Sequence, residues 1–424
     1  MKRILLTLLA LCVLAAAIPA GAEAEPLTIT FYSYSLVNEP NKSAMEEIIN
    51  GFNETVGKEM NVVVQGVPDD TYAVFRADIA AGKEVDIIQH VFPTLDASVE
   101  KLGLNAYEDI FPADELAAHV AGISENALAL GQIDGKTYGL AFTFSTPMLY
   151  INRTLFEEAG LDPDDPPATW DEVLAASEQI YEKTGKGGLL FAPDNGWVTD
   201  GVFYSNGADI LNDDRTEAVF ASPEGIEAME MFKKLYHSDS TPDVTERETY
   251  EMFMSGNAGM HLTTTAVLAM YRQAAAAGGW ELGGAAMPSF TGKEAVPVNS
   301  GSCLAVHVDP SDAARVAAVW AFVKYATSAE SYTIITTQMG YLPLRTEIAD
   351  DPAYLKDFMD QNPLMRINLE QLEHIRRVTI WPANCATEAA EAFTNMVVEA
   401  VTTDEDVATV LENGQEEIDQ LLQQ

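Results

Sequence analysis

The stretch of residues 138–174 constrains the fold more than any other part of this sequence. An apolar, strand-forming run at 140–144 breaks at Ser145-Thr146-Pro147, and a second apolar run follows at 148–151. Proline cannot donate to a strand ladder, so it is found at strand starts and edges. The pattern predicts a chain that passes from one lobe to another at this triplet. Ser145 and Thr146 should then lie where the two lobes face each other, with hydroxyls free for a ligand.

The first part of the chain alternates between two hydrophobic periods. Period-two segments indicate strands, and apolar residues at helical spacing indicate helices. The order β-α-β-α-β is predicted at 27–33, 43–53, 60–64, 70–81 and 85–88. Such an order is typical of a parallel sheet covered by helices, in which ligands bind beyond the carboxyl ends of the strands. Tyr34, Tyr72 and residues 90–92 are therefore predicted to lie near a site.

The rest of the chain predicts a second α/β unit and a return to the first. After Thr169, which begins a capping box, helices alternate with short strands as far as residue 286, and an apolar strand follows at 301–306. We predict an α/β fold with two lobes joined by several crossings, which closes on a ligand as a hinge. Lobe 1 should comprise 25–142 with 296–345, and lobe 2 should comprise 143–295 with 346–424, including a helix at 387–402.

The charge of the chain excludes several classes of partner. Asp and Glu total 65 against 24 Lys and Arg, so the formal net charge is −41. Nucleic-acid binding and docking on anionic lipid both need basic surface. The acidity is typical of a heavily solvated surface and says little about the ligand.

The N-terminal sequence predicts export. A basic start at Lys2-Arg3 precedes an apolar run at 4–18 and a small-residue exit near residues 20–24, so residues 1–24 are predicted to be a signal peptide. Leu11 before Cys12 argues against a lipid anchor. The protein is expected in the periplasm or on the extracellular face. Cys303 and Cys385 could form one bridge or remain two buried thiols.

The sequence contains no recognisable catalytic constellation. Its six histidines are scattered, and it has no G-x-S-x-G motif, no phosphate-binding glycine loop and no closely spaced cysteine pair. We expect no catalytic residues, no metal and no cofactor. The remaining candidates are aromatic residues at predicted lobe edges. Trp197, predicted in a loop, could stack on a sugar or fill a local core, and Trp381 could line the rim or the core.

The motif S-T-P-x-L-Y-x-N at 145–152, followed by F-x-x-A-G-L-D-P-x-x-P-P-x-T-W at 156–170, resembles the family 1 extracellular solute-binding proteins. These are the capture subunits of ABC importers, and within them the sequence is most similar to the glycerol-3-phosphate-binding receptors. Weaker similarities at 82–88, 253–260, 282–288 and 340–343 follow in the family's order. The resemblance implies the two-lobed periplasmic binding-protein clamp.

The resemblance also implies a set of ligand contacts. Tyr72, Ser145, Gly301 and Tyr341 match contact positions of the glycerol-phosphate receptors, a serine position falls at Thr263 or Thr264, and Trp197 matches a cleft tryptophan. Two positions depart from that pattern. Phe92 stands where a glutamate is expected, and no arginine occurs near the start of the last long helix. Guanidinium is the natural partner of phosphate, so a neutral sugar or polyol becomes as reasonable a ligand as a phosphorylated one.

These observations predict a non-enzymatic receptor for a small polyhydroxylated solute. It should be a monomer that delivers a sugar, a polyol, glycerol 3-phosphate or a glycerophosphodiester to a membrane ABC permease. Two other classes remain open, a secreted hydrolase acting on a glycoside or phosphodiester and a cell-surface adhesion or scaffolding protein. The predicted ligand-binding residues are Tyr34, Tyr72, Phe92, Ser145, Trp197, Thr264, Gly301, Tyr341 and Trp381.

Overall fold

The computed structural model describes residues 25–39 and 41–423, so the signal peptide predicted for 1–24 lies outside the described residues. The strands are β1 (Leu27–Ser33), β2 (Val62–Pro68), β3 (Ile87–Val91), β4 (Gln132–Ile133), β5 (Lys136–Thr137), β6 (Leu140–Ser145), β7 (Pro147–Asn152), β8 (Gly187–Leu190), β9 (Ala258–Thr264), β10 (Leu282–Ala286) and β11 (Ser300–Val306).

The helices cover the faces of two sheets. They are α1 (Asn41–Glu54), α2 (Val56–Met60), α3 (Ala73–Ala80), α4 (Leu95–Leu102), α5 (Tyr107–Ile110), α6 (Ala113–Val120), α7 (Glu125–Ala129), α8 (Arg153–Ala159), α9 (Trp170–Thr184), α10 (Gly196–Ser205), α11 (Pro223–Tyr236), α12 (Glu246–Met254), α13 (Leu268–Gly278), α14 (Ala313–Ala326), α15 (Ala329–Ile334), α16 (Lys356–Gln361), α17 (Pro363–Glu370), α18 (Ala386–Thr402) and α19 (Val407–Leu422). Among them, no helix of the described residues has both the length and the apolar composition that a bilayer crossing requires.

Sheet 1 is the five-stranded sheet with the order β2-β1-β3-β11-β6. Strand β1 runs parallel to β2 and β3, and β11 runs antiparallel to β3 and β6. The alternation in Leu-Thr-Ile-Thr-Phe places Ile29 and Phe31 in the core, where neither is exposed. Phe31 packs against Phe142 of β6 and Phe322 of α14, with ring centroids 6.2 and 5.4 Å away. Aromatic side chains thus join the sheet to the helix that covers it.

Sheet 2 is the four-stranded sheet with the order β10-β7-β9-β8. Strand β7 pairs antiparallel with β10 and β9, while β8 runs parallel to β9. Strand β6 ends at Ser145 in sheet 1, and β7 begins at Pro147 in sheet 2. The predicted break at Ser145-Thr146-Pro147 is therefore confirmed, because the chain changes sheets at the residue between the two strands.

The two C-terminal helices pack on the helical layer beside sheet 2. Helices α18 and α19 contact each other and α11. Phe393 of α18 lies 5.3 Å from Phe220 and 5.8 Å from Phe203, measured between ring centroids. We propose that residues 25–142 and 296–345 form lobe 1 and that residues 143–295 and 346–424 form lobe 2, as the sequence predicts.

The predicted helix at 70–81 begins later than expected. Tyr72 adopts a left-handed backbone with φ 57°, and α3 starts at Ala73. The carboxylate of Asp69 accepts hydrogen bonds from the backbone N–H groups of Val74 and Phe75, at 3.4 and 2.8 Å. Because these N–H groups have no partner inside the helix, the carboxylate determines where the helix begins.

Candidate functional site

The cleft between the lobes is formed where strand ends of both sheets meet. Thr264, the last residue of β9, donates a hydrogen bond from its hydroxyl to the Ser145 hydroxyl at 2.9 Å. This contact joins sheet 2 to the end of β6 in sheet 1. Thr263 is buried and its hydroxyl is bonded to Tyr250 at 2.9 Å. Of the two threonines considered, only Thr264 is partly exposed at the junction.

The prediction that Ser145 presents a free hydroxyl is wrong, because Ser145 is 2% exposed and its hydroxyl accepts the bond from Thr264. Thr146 does not present a free hydroxyl either. Its side chain has no exposed surface, and its hydroxyl accepts a hydrogen bond from the Gln371 amide at 3.2 Å. The same amide donates to the Pro147 carbonyl at 3.0 Å. Thr146 therefore anchors the crossing strand, and its hydroxyl faces a neighbouring segment because the chain turns there between two sheets.

Three half-buried tyrosines lie close to one another at the cleft end of sheet 1. Burial raises the pKa of Tyr34, Tyr72 and Tyr341, and the nearby Tyr34 phenol raises the pKa of the other two further. Leu342 donates its backbone N–H to the Phe144 carbonyl at 3.0 Å, which holds the Tyr341 segment beside the end of β6. The structure thus brings together three neutral phenols that sequence reasoning singled out separately.

The ring of Tyr72 is held in a defined orientation. Its hydroxyl accepts the backbone N–H of Val91 at 2.9 Å, and its ring stacks on His90 at 4.7 Å with an interplanar angle of 10°. His90 is unexposed, and burial lowers the pKa of its imidazole to about 4. The imidazole is therefore neutral at pH 7, and it supports Tyr72 without adding positive charge to the cleft.

Gly301 occupies a position that only glycine tolerates well. It has φ +106° and lies at an irregularity in the β6–β11 pairing. A Cβ atom there would overlap the carbonyl oxygen of Thr143 and lie 2.8 Å from the Cα of Phe144. The close approach brings the backbone of β11 against β6 at the cleft, one residue from Ser300, which pairs with Ser145.

Trp197 lies in the first turn of α10, whereas the sequence predicted a loop. Its side chain is half-buried and packs against residues of both hydrophobic cores. The asparagine and glycine before it have low helix propensity, which made the start of the helix hard to recognise. This position between the cores leaves part of the indole exposed to a ligand.

Two predicted contact residues are buried in cores. Phe92 has no exposed surface and belongs to the core that includes the buried residues of sheet 1. Trp381 is 6% exposed and packs on Phe393 at 5.6 Å between ring centroids. In this structure neither side chain offers a face to a ligand. The contact predicted for Phe92 is therefore not supported, and of the two positions considered for Trp381, rim or core, the structure supports the core. Each lies beside an irregular segment in sequence, and the local pattern did not reveal that its side chain is buried.

A cavity of about 290 Å³ lies between the lobes, and its lining includes three arginines. The carboxylate of Asp96 on α4 accepts hydrogen bonds from Arg215 and from Arg377, the latter at 3.0 Å. Arg376 pairs with Asp209 at 2.7 Å, and its guanidinium lies 3.7 Å from the centre of the Tyr204 ring. Each arginine of this cavity is thus already paired with a carboxylate.

The described residues contain no group of three or more His, Cys, Asp or Glu side chains arranged to hold a metal ion. Cys303 and Cys385 are free and buried, so the alternative of two thiols is the one that the structure supports. What the cleft offers is a set of hydroxyls and aromatic faces, which suits binding by hydrogen bonds and stacking.

Comparison with known proteins identifies the family. A family model described as bacterial extracellular solute-binding protein matches residues 47–364. The chain belongs to this family. The resemblance stated from the sequence motifs is therefore confirmed, and so is the two-lobed α/β fold of this solute-binding protein.

The names of the curated relatives of this solute-binding protein do not all state a ligand. A binding protein of Brucella abortus (strain 2308) is 30% identical over 257 residues, which is 58% of this chain and 60% of the relative. The sn-glycerol-3-phosphate-binding periplasmic protein UgpB of Salmonella typhimurium (strain LT2) is 26% identical over 312 residues, 71% of this chain and 66% of the relative. The chain therefore spans less than two thirds of the length of the curated relatives that it matches.

Solved structures agree on the architecture. The crystal structure of the cyclic alpha-maltosyl-1,6-maltose binding protein from Arthrobacter globiformis has a TM-score of 0.80 at 23% identity, covering 94% of this chain and 99% of that one. At this identity the similarity concerns the fold.

The ion pair between Asp96 and Arg215 gives this solute-binding protein a contact across the lobes. Asp96 belongs to α4 beside sheet 1, and Arg215 belongs to a loop beside sheet 2; their side chains are 9% and 33% exposed. We expect Arg215→Gln to favour the open form, with a change of about 0.5–1 kcal/mol in the closure equilibrium. Small-angle scattering should then give a larger radius of gyration than for the wild type.

Arg153→Gln is the matched control, because Arg153 pairs with Asp164 within lobe 2, at 2.7 Å. It should leave the radius of gyration unchanged. Raising the salt concentration should reduce the difference between wild type and Arg215→Gln. Equal radii for the two variants at low salt would contradict the prediction.

Asp200 on α10 is a second charged residue that the sequence did not single out. It is 3% exposed, its carboxylate accepts the backbone N–H of Thr379 at 2.7 Å, and burial raises its pKa from 3.8 to about 6. Because the folded state holds this proton more tightly, the stability contribution is fully present below about pH 4 and is lost as the pH rises through 6.

Comparison with Asp200→Asn should isolate this effect from the other carboxylates. Between pH 4 and 7 the wild type should lose up to roughly 3 kcal/mol of unfolding free energy relative to the variant. Urea unfolding at several pH values measures it. A difference between the two proteins that stays constant with pH would exclude the titration of Asp200 as its cause.

Sequence reasoning missed Asp96, Arg215 and Asp200 because charged residues are so common in this chain. It also missed the polar residues Gln89 and Thr143, which are both unexposed. A usable signal did exist, since each is a polar residue inside a mostly apolar, buried strand, Gln89 in IIQHV and Thr143 in LAFTFS.

Proposed function

We propose that this protein is an exported, non-enzymatic capture subunit of an ABC importer. It closes its lobes on a small polyhydroxylated solute and presents the closed form to a membrane permease. The observation that carries the proposal is the convergence of hydroxyls from both sheets at one junction, where Thr264 of β9 is bonded to Ser145 of β6 at 2.9 Å. A ligand that replaces or extends this contact would bind both lobes, and would therefore favour closure.

A neutral ligand is favoured by the charges around the cleft. Arg215, Arg376 and Arg377 are paired with Asp96 or Asp209, and the His90 imidazole is neutral. Transferring a phosphate into a cleft without a free cation costs desolvation energy that no new ion pair recovers. Sugars need only hydroxyl partners and an aromatic face, which Tyr34, Tyr341 and Trp197 can supply.

A phosphorylated ligand is the second candidate, and the curated UgpB relatives are the observation that favours it. Binding of glycerol 3-phosphate would require an arginine to exchange its carboxylate partner for the phosphate. Arg376 is the most available of the three, since its side chain is 47% exposed and its pair with Asp209 lies at the surface. Arg376→Gln should then abolish binding of the phosphorylated ligand.

A thermal-shift screen separates the two candidates. Maltose, maltotetraose, glycerol 3-phosphate and glycerophosphocholine are supplied separately to the folded protein. A ligand at 100 times its dissociation constant should add about 2.7 kcal/mol of stability. We expect neutral sugars to raise the melting temperature, and Ser145→Ala and Thr264→Val to reduce the shift. A shift with phosphorylated compounds alone would reject the neutral ligand.

Recovery of the ligand distinguishes capture from hydrolysis. After prolonged incubation, mass spectrometry should find the bound compound unchanged, whereas a hydrolase would release products. No shift with any of the four compounds would reject capture of solutes from these classes and would favour a macromolecular partner.

A further inference from the structure

Five polar side chains form a connected network at the cleft end of sheet 1. Gln89 of β3 is at its centre, and its partners are Ser33, Thr143, Ser302 and, through Thr143, Tyr34. Ser33, Gln89, Thr143 and Ser302 have no exposed surface, whereas Tyr34 is half-buried at the cleft. A buried polar network lowers stability unless each of its members has hydrogen-bond partners. A network that reaches a cleft residue can therefore have a role in binding that offsets this cost.

The orientation of the Gln89 amide follows from its neighbours. Its oxygen accepts the Ser33 hydroxyl at 2.5 Å and faces the backbone N–H of Ser35 at 3.4 Å. If the amide were flipped, its NH₂ group would face the backbone N–H of Ser35, and two donors cannot form a hydrogen bond. Its nitrogen therefore donates to the hydroxyl oxygens of Thr143 and Ser302, at 2.8 and 3.0 Å. All four hydrogen-bonding positions of the amide are thus in use.

This donation leaves two possible directions for the remaining hydroxyl hydrogens, and the Thr143 carbonyl decides between them. The Thr143 and Ser302 hydroxyls lie 2.6 Å apart, and Ser302 also reaches the Thr143 carbonyl at 3.4 Å. If Thr143 donates to Ser302, and Ser302 donates to the carbonyl, then Thr143 can accept from Tyr34, whose hydroxyl is 3.2 Å away. The reverse order leaves the carbonyl contact unused, so the first order makes one more hydrogen bond.

We propose that Gln89 is a positioning residue that, through Thr143, turns the hydrogen of the Tyr34 hydroxyl away from the cleft. The Tyr34 oxygen then faces the ligand as an acceptor only. An acceptor selects ligand groups that donate, such as sugar hydroxyls, over phosphate oxygens that only accept. The inference rests on the proposed function, because it assumes that the ligand contacts Tyr34, and it adds that this contact goes to a hydroxyl of the ligand and not to a phosphate group.

Neutron diffraction from crystals of the deuterated protein tests the direction without any ligand. We expect the deuteron of Tyr34 to lie between its oxygen and that of Thr143. A deuteron on Thr143 that points to Tyr34 would overturn the proposal. This result does not depend on whether the protein is a receptor, so it is separate from the outcome of the thermal-shift screen.

Calorimetric titration with maltotetraose tests the consequence. Thr143→Val removes the hydroxyl while nearly keeping the shape, and should weaken binding about tenfold, whereas Thr143→Ser should bind within about threefold of the wild type. Equal affinity of Thr143→Val and wild type would overturn the proposal. If wild type itself does not bind maltotetraose, the proposed sugar ligand fails, and the neutron result still decides the hydroxyl direction.

A double-mutant cycle shows whether Gln89 acts through Tyr34. Gln89→Met should weaken binding in the wild type but add little in the Tyr34→Phe background, because the hydroxyl that it positions is then absent. Additive losses would mean that Gln89 acts independently, which would contradict the proposal. Ser177→Ala is the control, since Ser177 shares a buried hydroxyl contact with Ser240 at 2.7 Å in lobe 2. It should lower stability without changing affinity.

Discussion

Replacing Gly301 by alanine should lower the free energy of unfolding by about 3–5 kcal/mol. The residue has φ +106°, and an added Cβ would overlap the Thr143 carbonyl oxygen and approach the Phe144 Cα within 2.8 Å. Both are backbone atoms, so no flexible side chain can move aside. Urea unfolding should show a lower midpoint at an unchanged slope. The same change should weaken ligand binding, because relief of the overlap displaces β11 and β6 at the cleft.

Gly292→Ala is the matched control for this prediction. Gly292 also has a positive φ, +79°, but nothing lies within 4 Å of the position its Cβ would take. It should cost only the backbone strain of about 1–2 kcal/mol. Equal losses for the two variants would mean that the close approach at Gly301 contributes nothing beyond its backbone angle.

Removing Arg315 should be comparably damaging, with an expected loss of about 3–5 kcal/mol on changing it to methionine. Arg315 donates to both oxygens of Asp86, at 2.9 and 3.1 Å. Asp86 has no exposed surface and also accepts hydrogen bonds from the backbone N–H and the hydroxyl of Thr30. Without the guanidinium, a carboxylate would remain buried with its charge uncompensated. Denaturant unfolding at pH 7 measures the loss.

Two further variants define this contribution. Arg247→Met removes an ion pair with Glu251 whose side chains are 87% and 56% exposed, and it should change stability by less than about 0.5 kcal/mol. Combining Arg315→Met with Asp86→Leu should recover part of the loss, since the unpaired charge is then absent. A double variant no more stable than Arg315→Met alone would show that the buried charge is not the cause.

Much of the architecture followed from local patterns in the sequence. Proline after Ser145-Thr146 indicated the change of sheets, and β6 and β7 do separate there. The capping box at Thr169 correctly placed the start of α9, with both of its hydrogen bonds present. Such features depend on residues a few positions apart, so they can be recognised without knowing what packs on them.

The candidate site was less accessible to the same reasoning. Phe92 and Trp381 were predicted at the cleft, but both are buried in hydrophobic cores. Conversely, the pairing of Asp96 with Arg215 joins residues 119 positions apart. No local pattern distinguishes these two charges from the many others in so acidic a chain.

The sequence alone determined the two-lobed α/β class, the point at which the chain crosses between sheets, and the residue types available for hydrogen bonding and stacking. Periodicity, caps and turn residues carry that information because they act over a few residues. Only the tertiary structure decided which aromatic rings reach the cleft, which arginines are already paired, and how Gln89 connects to Tyr34. Those outcomes depend on contacts between distant strands and helices, which exist only once both sheets are assembled.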